Sequence, residues 1–72
     1  MEEAVEATCR AHPDLVQGAA GARPKAWGAL AAQGIVAFRE RAGRAPTDDE
    51  RRAIWAGLWR AVERVRESPT GE

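Results

Sequence analysis

The chain is 72 residues long, and its eleven basic side chains balance eleven acidic ones, which gives a formal net charge of zero at pH 7. This length predicts one small domain, and a core of that size rarely supplies more than about 3–5 kcal/mol of folding stability by itself. The single cysteine, Cys9, excludes an internal disulfide. The longest apolar-rich run, residues 26–38, contains Gln33 and falls short of the ~20 residues that span a membrane.

The first residues and the charge distribution bear on the cellular location of the protein and on its surface charge. The acidic N-terminal stretch has no long apolar run, so no secretory or transit signal is expected there, and one lone thiol suits a reducing cytoplasm. Ten Arg and sixteen Ala against one Lys are typical of a GC-rich bacterial genome. Residues 1–22 hold one basic and four acidic side chains, whereas residues 23–66 hold ten basic and five acidic ones. A mildly basic region behind an acidic first segment is therefore expected.

The first segment is predicted to be a helix over residues 2–12, because it contains good helix formers and its apolar side chains recur at helical spacing. Pro13 is expected to end that helix. Residues 14–19 are then expected to form a short capped stretch of one or two helical turns. The glycines and the proline that follow, up to Pro24, predict an irregular link.

The second predicted helix spans residues 24–42, with Pro24 at its first position. Apolar side chains surround nearly the whole of this helix, and a helix of that kind is buried nearly all round. The rest of so short a chain is expected to cover it incompletely, which predicts a second subunit as the cover. Gly28 and Gly34 each cost about 1 kcal/mol relative to Ala, which predicts the close approach of another backbone, or a kink, at these positions.

Residues 43–50 predict the end of one helix and the start of the next. Gly43 can take the left-handed conformation that closes a helix, and Pro46 cannot continue it. Thr47 and Glu50 have the spacing of a capping box, so the third helix is predicted over residues 48–67. The string Gly43-Arg44-x-Pro46-Thr47-x-x-Glu50 is similar to an inter-helix turn of bacterial sigma-factor helical regions and of other helix-turn-helix proteins. It covers eight of the 72 residues and assigns no family.

The third helix has one apolar arc of about 140° and, on another side, a row of small residues, Ala53, Gly57 and Ala61, that lets a neighbouring helix come close. Strand signals are lacking in the sequence, so the predicted fold class is all-α. A short N-terminal helix precedes a long helical hairpin, two hairpins pair into a dimeric four-helix arrangement, and residues 68–72 form a disordered tail. The predicted core and dimer interface consists of Trp27, Leu30, Gly34, Ile35, Phe38, Ile54, Trp55, Leu58, Trp59 and Val62.

Two groups of side chains admit a functional interpretation beside a structural one. The three tryptophans offer a stacking platform for a base or a flat ligand, but large side chains on an amphipathic face favour a place in the core. Arg44, Arg51 and Arg52 surround the hairpin turn and are candidates for phosphate contacts. The acidic residues at the start of the third helix favour local ion pairs instead.

Cys9 and His12 have the Cys-x2-His spacing of half a zinc site, which a second subunit would complete. The chain contains no other Cys or His, so a partly buried thiol is the preferred interpretation, and no metal, cofactor or catalytic residue is predicted. The sequence thus predicts a small cytoplasmic, non-enzymatic interaction or regulatory protein. Its predicted partner is a second copy, with another protein as a further partner and no membrane. The alternative is a nucleic-acid-binding helical module that uses Arg44, Arg51 and Arg52.

Overall fold

The computed structural model describes residues 2–67, and this part of the chain is all-helical, as the sequence predicts. The expected disordered tail, residues 68–72, lies outside the described residues. Within them no helix combines the length and the apolar character that crossing a membrane requires. Four helices follow one another: α1 (Glu2–Ala11), α2 (Pro13–Ala20), α3 (Ala26–Ala42) and α4 (Asp48–Glu67).

The segment after α1 is helical, in agreement with the one or two helical turns expected near residues 14–19. It forms α2, a helix of eight residues with Pro13 at its start. The break falls at His12, whose φ of −130° and ψ of 59° lie outside the helical region. Pro13 ends α1 and also begins α2, because its fixed φ suits the first turn of a helix and its missing N–H is not needed there.

The link between α2 and α3 shifts the start of the long helix. Ala22 and Lys25 both have positive φ, 60° and 71°, so the chain leaves the helical conformation at both positions. The placement of Pro24 at the first helical position is therefore wrong, because α3 begins at Ala26 after the left-handed Lys25. A hydrogen bond of 2.9 Å from the Arg23 backbone N–H to the Gly18 carbonyl closes the link against α2.

The core lies between α3 and α4 and is closed from the other side by α1 and α2. Four large side chains in it are fully buried: Leu30, Ile54, Leu58 and Val62. A close approach occurs at Gly34, but by a side chain and not by the predicted backbone, because an added Cβ would lie 2.8 Å from Leu58 Cδ1. The small-residue row of α4 acts as predicted at Gly57, where a Cβ would lie 2.9 Å from Val5 Cγ2 of α1.

A single chain covers α3 incompletely, as expected. The other three helices of the same chain all pack on it. One flank remains exposed, and it consists of small residues, Gly28, Ala29 and Ala32, together with Val36, which is 43% exposed. Gly28 has open space where its Cβ would be, so no close approach occurs at this position.

The hairpin turn follows the sequence prediction in detail. Gly43 has a φ of 74°, and its N–H donates to the Arg39 carbonyl at 2.9 Å, which closes α3. The capping box is confirmed, because the Thr47 N–H donates to Glu50 Oε1 at 2.9 Å and the Glu50 N–H donates to Thr47 Oγ1 at 3.2 Å. The start of α4 is thus held by groups within a few residues of one another.

Candidate functional site

The most unusual surface of the protein is formed by two tryptophans one turn apart on α4. Trp55 is 37% exposed and Trp59 is 40% exposed. The single chain does not bury them, and their predicted place in a core shared with a second subunit stays a prediction. Each follows an inward-facing residue, Ile54 or Leu58, by one position, and one position rotates a side chain by about 100° around a helix. The two indoles therefore lie at the edge of the buried arc and reach the solvent.

The third tryptophan joins this surface from α3. Trp27 is half-buried, and its ring centroid lies 5.4 Å from that of Trp59 at an interplanar angle of 87°, an edge-to-face contact. The Trp59 indole Nε1 donates to Glu63 Oε2 at 2.9 Å, one turn further along α4. The ring contact and the hydrogen bond both orient the indole of Trp59. We refer to the surface of Trp27, Trp55 and Trp59 as the tryptophan face.

The other residues of the predicted interface belong to the interior of the single chain. Ile35 is half-buried and packs against the core. The structure buries the remaining six, which are Leu30, Gly34, Phe38, Ile54, Leu58 and Val62. Buried side chains are not available to a partner without unfolding. The tryptophan face is therefore the part of the predicted interface that a second molecule can reach.

The arginines of the hairpin turn are engaged with carboxylates. Arg44 forms two hydrogen bonds of 2.8 Å with the Glu50 carboxylate, and its guanidinium carbon lies 5.3 Å from the centroid of the Phe38 ring. The guanidinium of Arg44, together with the Thr47 N–H, lowers the pKa of Glu50 from its ordinary value of 4.5 to about 2. The pKa of Arg44 is raised in turn by this hydrogen bond.

The two arginines in the first turn of α4 also lie beside acidic side chains. Arg51 Nη2 is 3.7 Å from Asp48 Oδ1, and Arg52 Nη1 is 3.6 Å from Asp49 Oδ1. These distances describe loose, exposed ion pairs that contribute little to stability. All three candidate phosphate-binding arginines thus have a carboxylate neighbour, which reduces the positive potential around the turn.

Cys9 and His12 do not form part of one helical face. Cys9 lies half-buried on α1, whereas His12 lies beyond the end of α1 and precedes α2. Burial raises the pKa of the Cys9 thiol, and the nearby charge of Arg64 opposes this shift. A thiol with a raised pKa is a poor nucleophile at neutral pH. In the part of the chain that the structure describes, no three His, Cys, Asp or Glu residues are grouped to hold a metal ion.

Comparison of the chain with protein-family models, with curated proteins and with solved structures gives no match. The side chains of the described residues form several distinct groups. Three features stand out among them: the exposed tryptophan face, the carboxylate-paired arginines and the half-buried thiol.

Proposed function

We propose that this protein is a small, non-enzymatic interaction or regulatory module that associates with a second copy of itself through the tryptophan face. The observation that carries the proposal is the exposure of Trp55 and Trp59 on consecutive turns of α4, beside Trp27. Tryptophan is enriched among the residues that dominate binding energies at protein interfaces, because it buries a large rigid surface at low entropic cost.

The size of the protein supports association as well. A chain of 72 residues has a small core, in which four large side chains are fully buried in residues 2–67. Burial of exposed apolar surface contributes about 25 cal/mol per Å², so covering two indoles adds materially to a marginal stability. A dimer formed in this way is more stable than its separated subunits. The lone thiol of Cys9 supports a reducing, cytoplasmic environment for it.

The oligomeric state tests the proposal directly. Sedimentation equilibrium over a concentration series is expected to show a reversible monomer–dimer equilibrium for the unaltered protein. Trp55→Gln removes an exposed indole from the tryptophan face and is expected to weaken the dimer by at least tenfold, since truncated hot-spot residues typically cost 2 kcal/mol or more. Helical content, measured by circular dichroism, should stay unchanged because Trp55 is not among the buried residues.

Val36→Gln is the matched control. Val36 is exposed to a similar degree, 43%, but lies on the outer flank of α3, on the side of that helix away from Trp27. Its replacement is expected to leave the dimer unchanged. A protein that remains monomeric up to high micromolar concentration would refute the proposal. Dimerisation that depends on Val36 and not on Trp55 would refute the choice of surface.

Nucleic-acid binding through Arg44, Arg51 and Arg52 remains the alternative. Binding to duplex DNA over a salt series separates the two functions, because real phosphate contacts cause a steep loss of affinity with salt. The carboxylate neighbours of all three arginines favour the outcome in which no binding is measured at low salt. Measurable, steeply salt-dependent binding would favour the alternative.

A further inference from the structure

The charged residues around the tryptophan face follow an ordered pattern. On α4, six exposed residues fall within about 80° of the helix circumference at 100° per residue. In chain order they are Asp48, Arg52, Trp55, Trp59, Glu63 and Arg66. Two charges of opposite sign precede the tryptophans, and two charges of opposite sign follow them.

The charges of this pattern are complementary to those of a second copy of α4 that runs in the opposite direction. Asp48 and Arg66 each lie nine residues from Gly57, and Trp55 and Trp59 each lie two residues from it. A copy of α4 that runs in the opposite direction, centred at the level of Gly57, therefore places Asp48 opposite the partner's Arg66. It also places Arg52, five residues from the centre, within one residue of the partner's Glu63, six residues from the centre. A copy that runs in the same direction would place like charges together, which is destabilising.

We infer that the second copy pairs antiparallel along α4, about a twofold axis that crosses the tryptophan face at the level of Gly57, an inference that rests on the proposed dimer. Such an interface is isologous, so each contact occurs twice. Asp48 pairs with the partner's Arg66, at about 14 Å from the axis at 1.5 Å per residue. Arg52 pairs in the same way with the partner's Glu63.

Tryptophans fill the centre of this interface. Trp55 of one copy meets the partner's Trp59, and Trp27 already contacts Trp59 within each chain at 5.4 Å. Each half of the interface thus gathers three indoles from two molecules. Charged pairs then surround an aromatic centre, which is the usual arrangement of a polar rim around an apolar core at protein interfaces.

The contacts within one chain leave these charges accessible to a partner. The Asp48 side chain is 80% exposed and the Arg52 side chain is 76% exposed, and their ion pairs within α4 are 3.6–3.7 Å long. Glu63 accepts one hydrogen bond, from the Trp59 indole through Oε2. A carboxylate accepts several hydrogen bonds, so a guanidinium from the second copy can be added.

Charge reversal tests this geometry. Asp48→Lys and Arg66→Glu each replace two attractive contacts of the dimer with two repulsive ones, so each is expected to raise the dimer dissociation constant about tenfold at low ionic strength. An equimolar mixture of the two variants restores both contacts in the heterodimer, and the double variant restores them in a homodimer. Both are expected to dimerise about as well as the unaltered protein in sedimentation equilibrium.

Matched controls separate the interface from the helix ends. Glu67→Lys and Arg64→Glu make the same charge changes in the last turn of α4, but on other sides of the helix. They are expected to leave the dissociation constant unchanged. If the protein dimerises but the two test variants behave like these controls, the antiparallel arrangement is refuted while the dimer stands. If the unaltered protein is a monomer, the proposed function itself is refuted.

Discussion

Single residues hold the hairpin turn together. Arg44 reaches across the turn to Glu50, lies over the Phe38 ring, and so connects the end of α3 to the first turn of α4. Glu50 also caps the Thr47 N–H. One carboxylate therefore takes part in both the ion pair and the capping box, and its charge is required for each.

Glu50→Gln is expected to lower the melting temperature at pH 7. The folded state holds the pKa of Glu50 at about 2, below its ordinary value of 4.5. A lowered pKa contributes stability that is fully present above pH 4.5 and is lost as the pH falls through 2. The difference in melting temperature between the variant and the unaltered protein should therefore shrink over this interval. Glu40→Gln, an equal change of charge at an exposed site of α3, is the control. A difference that stays constant from pH 7 to pH 2 would contradict the assigned role.

The helices of this protein come into contact at glycines, which have no side chain. α3 meets α4 at Gly34, and α1 meets α4 at Gly57, because an added Cβ at either position would come within 3 Å of a neighbouring side chain. Gly28 lies in the same helix as Gly34 but faces open space. The two glycines of α3 thus have equal helix propensity and different surroundings, which makes them a matched pair.

Gly28→Ala is expected to stabilise the protein by about 0.5–1 kcal/mol, because alanine is the better helix former and meets no neighbour. Gly34→Ala gains the same propensity but forces a Cβ to within 2.8 Å of Leu58 Cδ1 in a fully buried site. Overpacking typically costs about 1–3 kcal/mol, so a net destabilisation is expected. Urea denaturation measures both changes. A stabilising Gly34→Ala would show that the α3–α4 contact is looser than described.

At the scale of the whole molecule, one chain packs its four helices around a single core and still exposes two tryptophans. The flank of α3 that one chain leaves uncovered consists of small residues and Val36, and it offers less apolar surface than two indoles. The proposed dimer rests instead on the surface of α4. Folding is then complete within the subunit, and association adds stability to it.

Linkage between folding and association gives a prediction at this scale. If dimers form, the melting temperature of the unaltered protein should rise with protein concentration, because only the folded subunit associates. Trp55→Gln should show a weaker dependence, and Val36→Gln should show the full one. Differential scanning calorimetry over a hundredfold concentration range provides the measurement. A melting temperature that is independent of concentration in all three proteins would exclude association at those concentrations.

The sequence by itself determined the features that depend on neighbouring residues. Gly43 closes α3 and the capping box of Thr47 and Glu50 starts α4, because hydrogen bonds within four residues decide both. Sequence proximity did not suffice at Pro24, since the positive φ of Lys25 delays the start of α3 to Ala26.

Tertiary structure decided which side of α4 faces the solvent. The apolar arc of α4 includes both Ile54 and Trp55, and its pattern does not reveal which edge stays outside. Two contacts fix the rotation of α4: its side chains pack against Gly34 of α3, and Val5 of α1 packs against Gly57. Because of this rotation, Ile54 is buried and Trp55 is exposed. These contacts join residues far apart in the chain, and their steric fit exists only once the helices have come together.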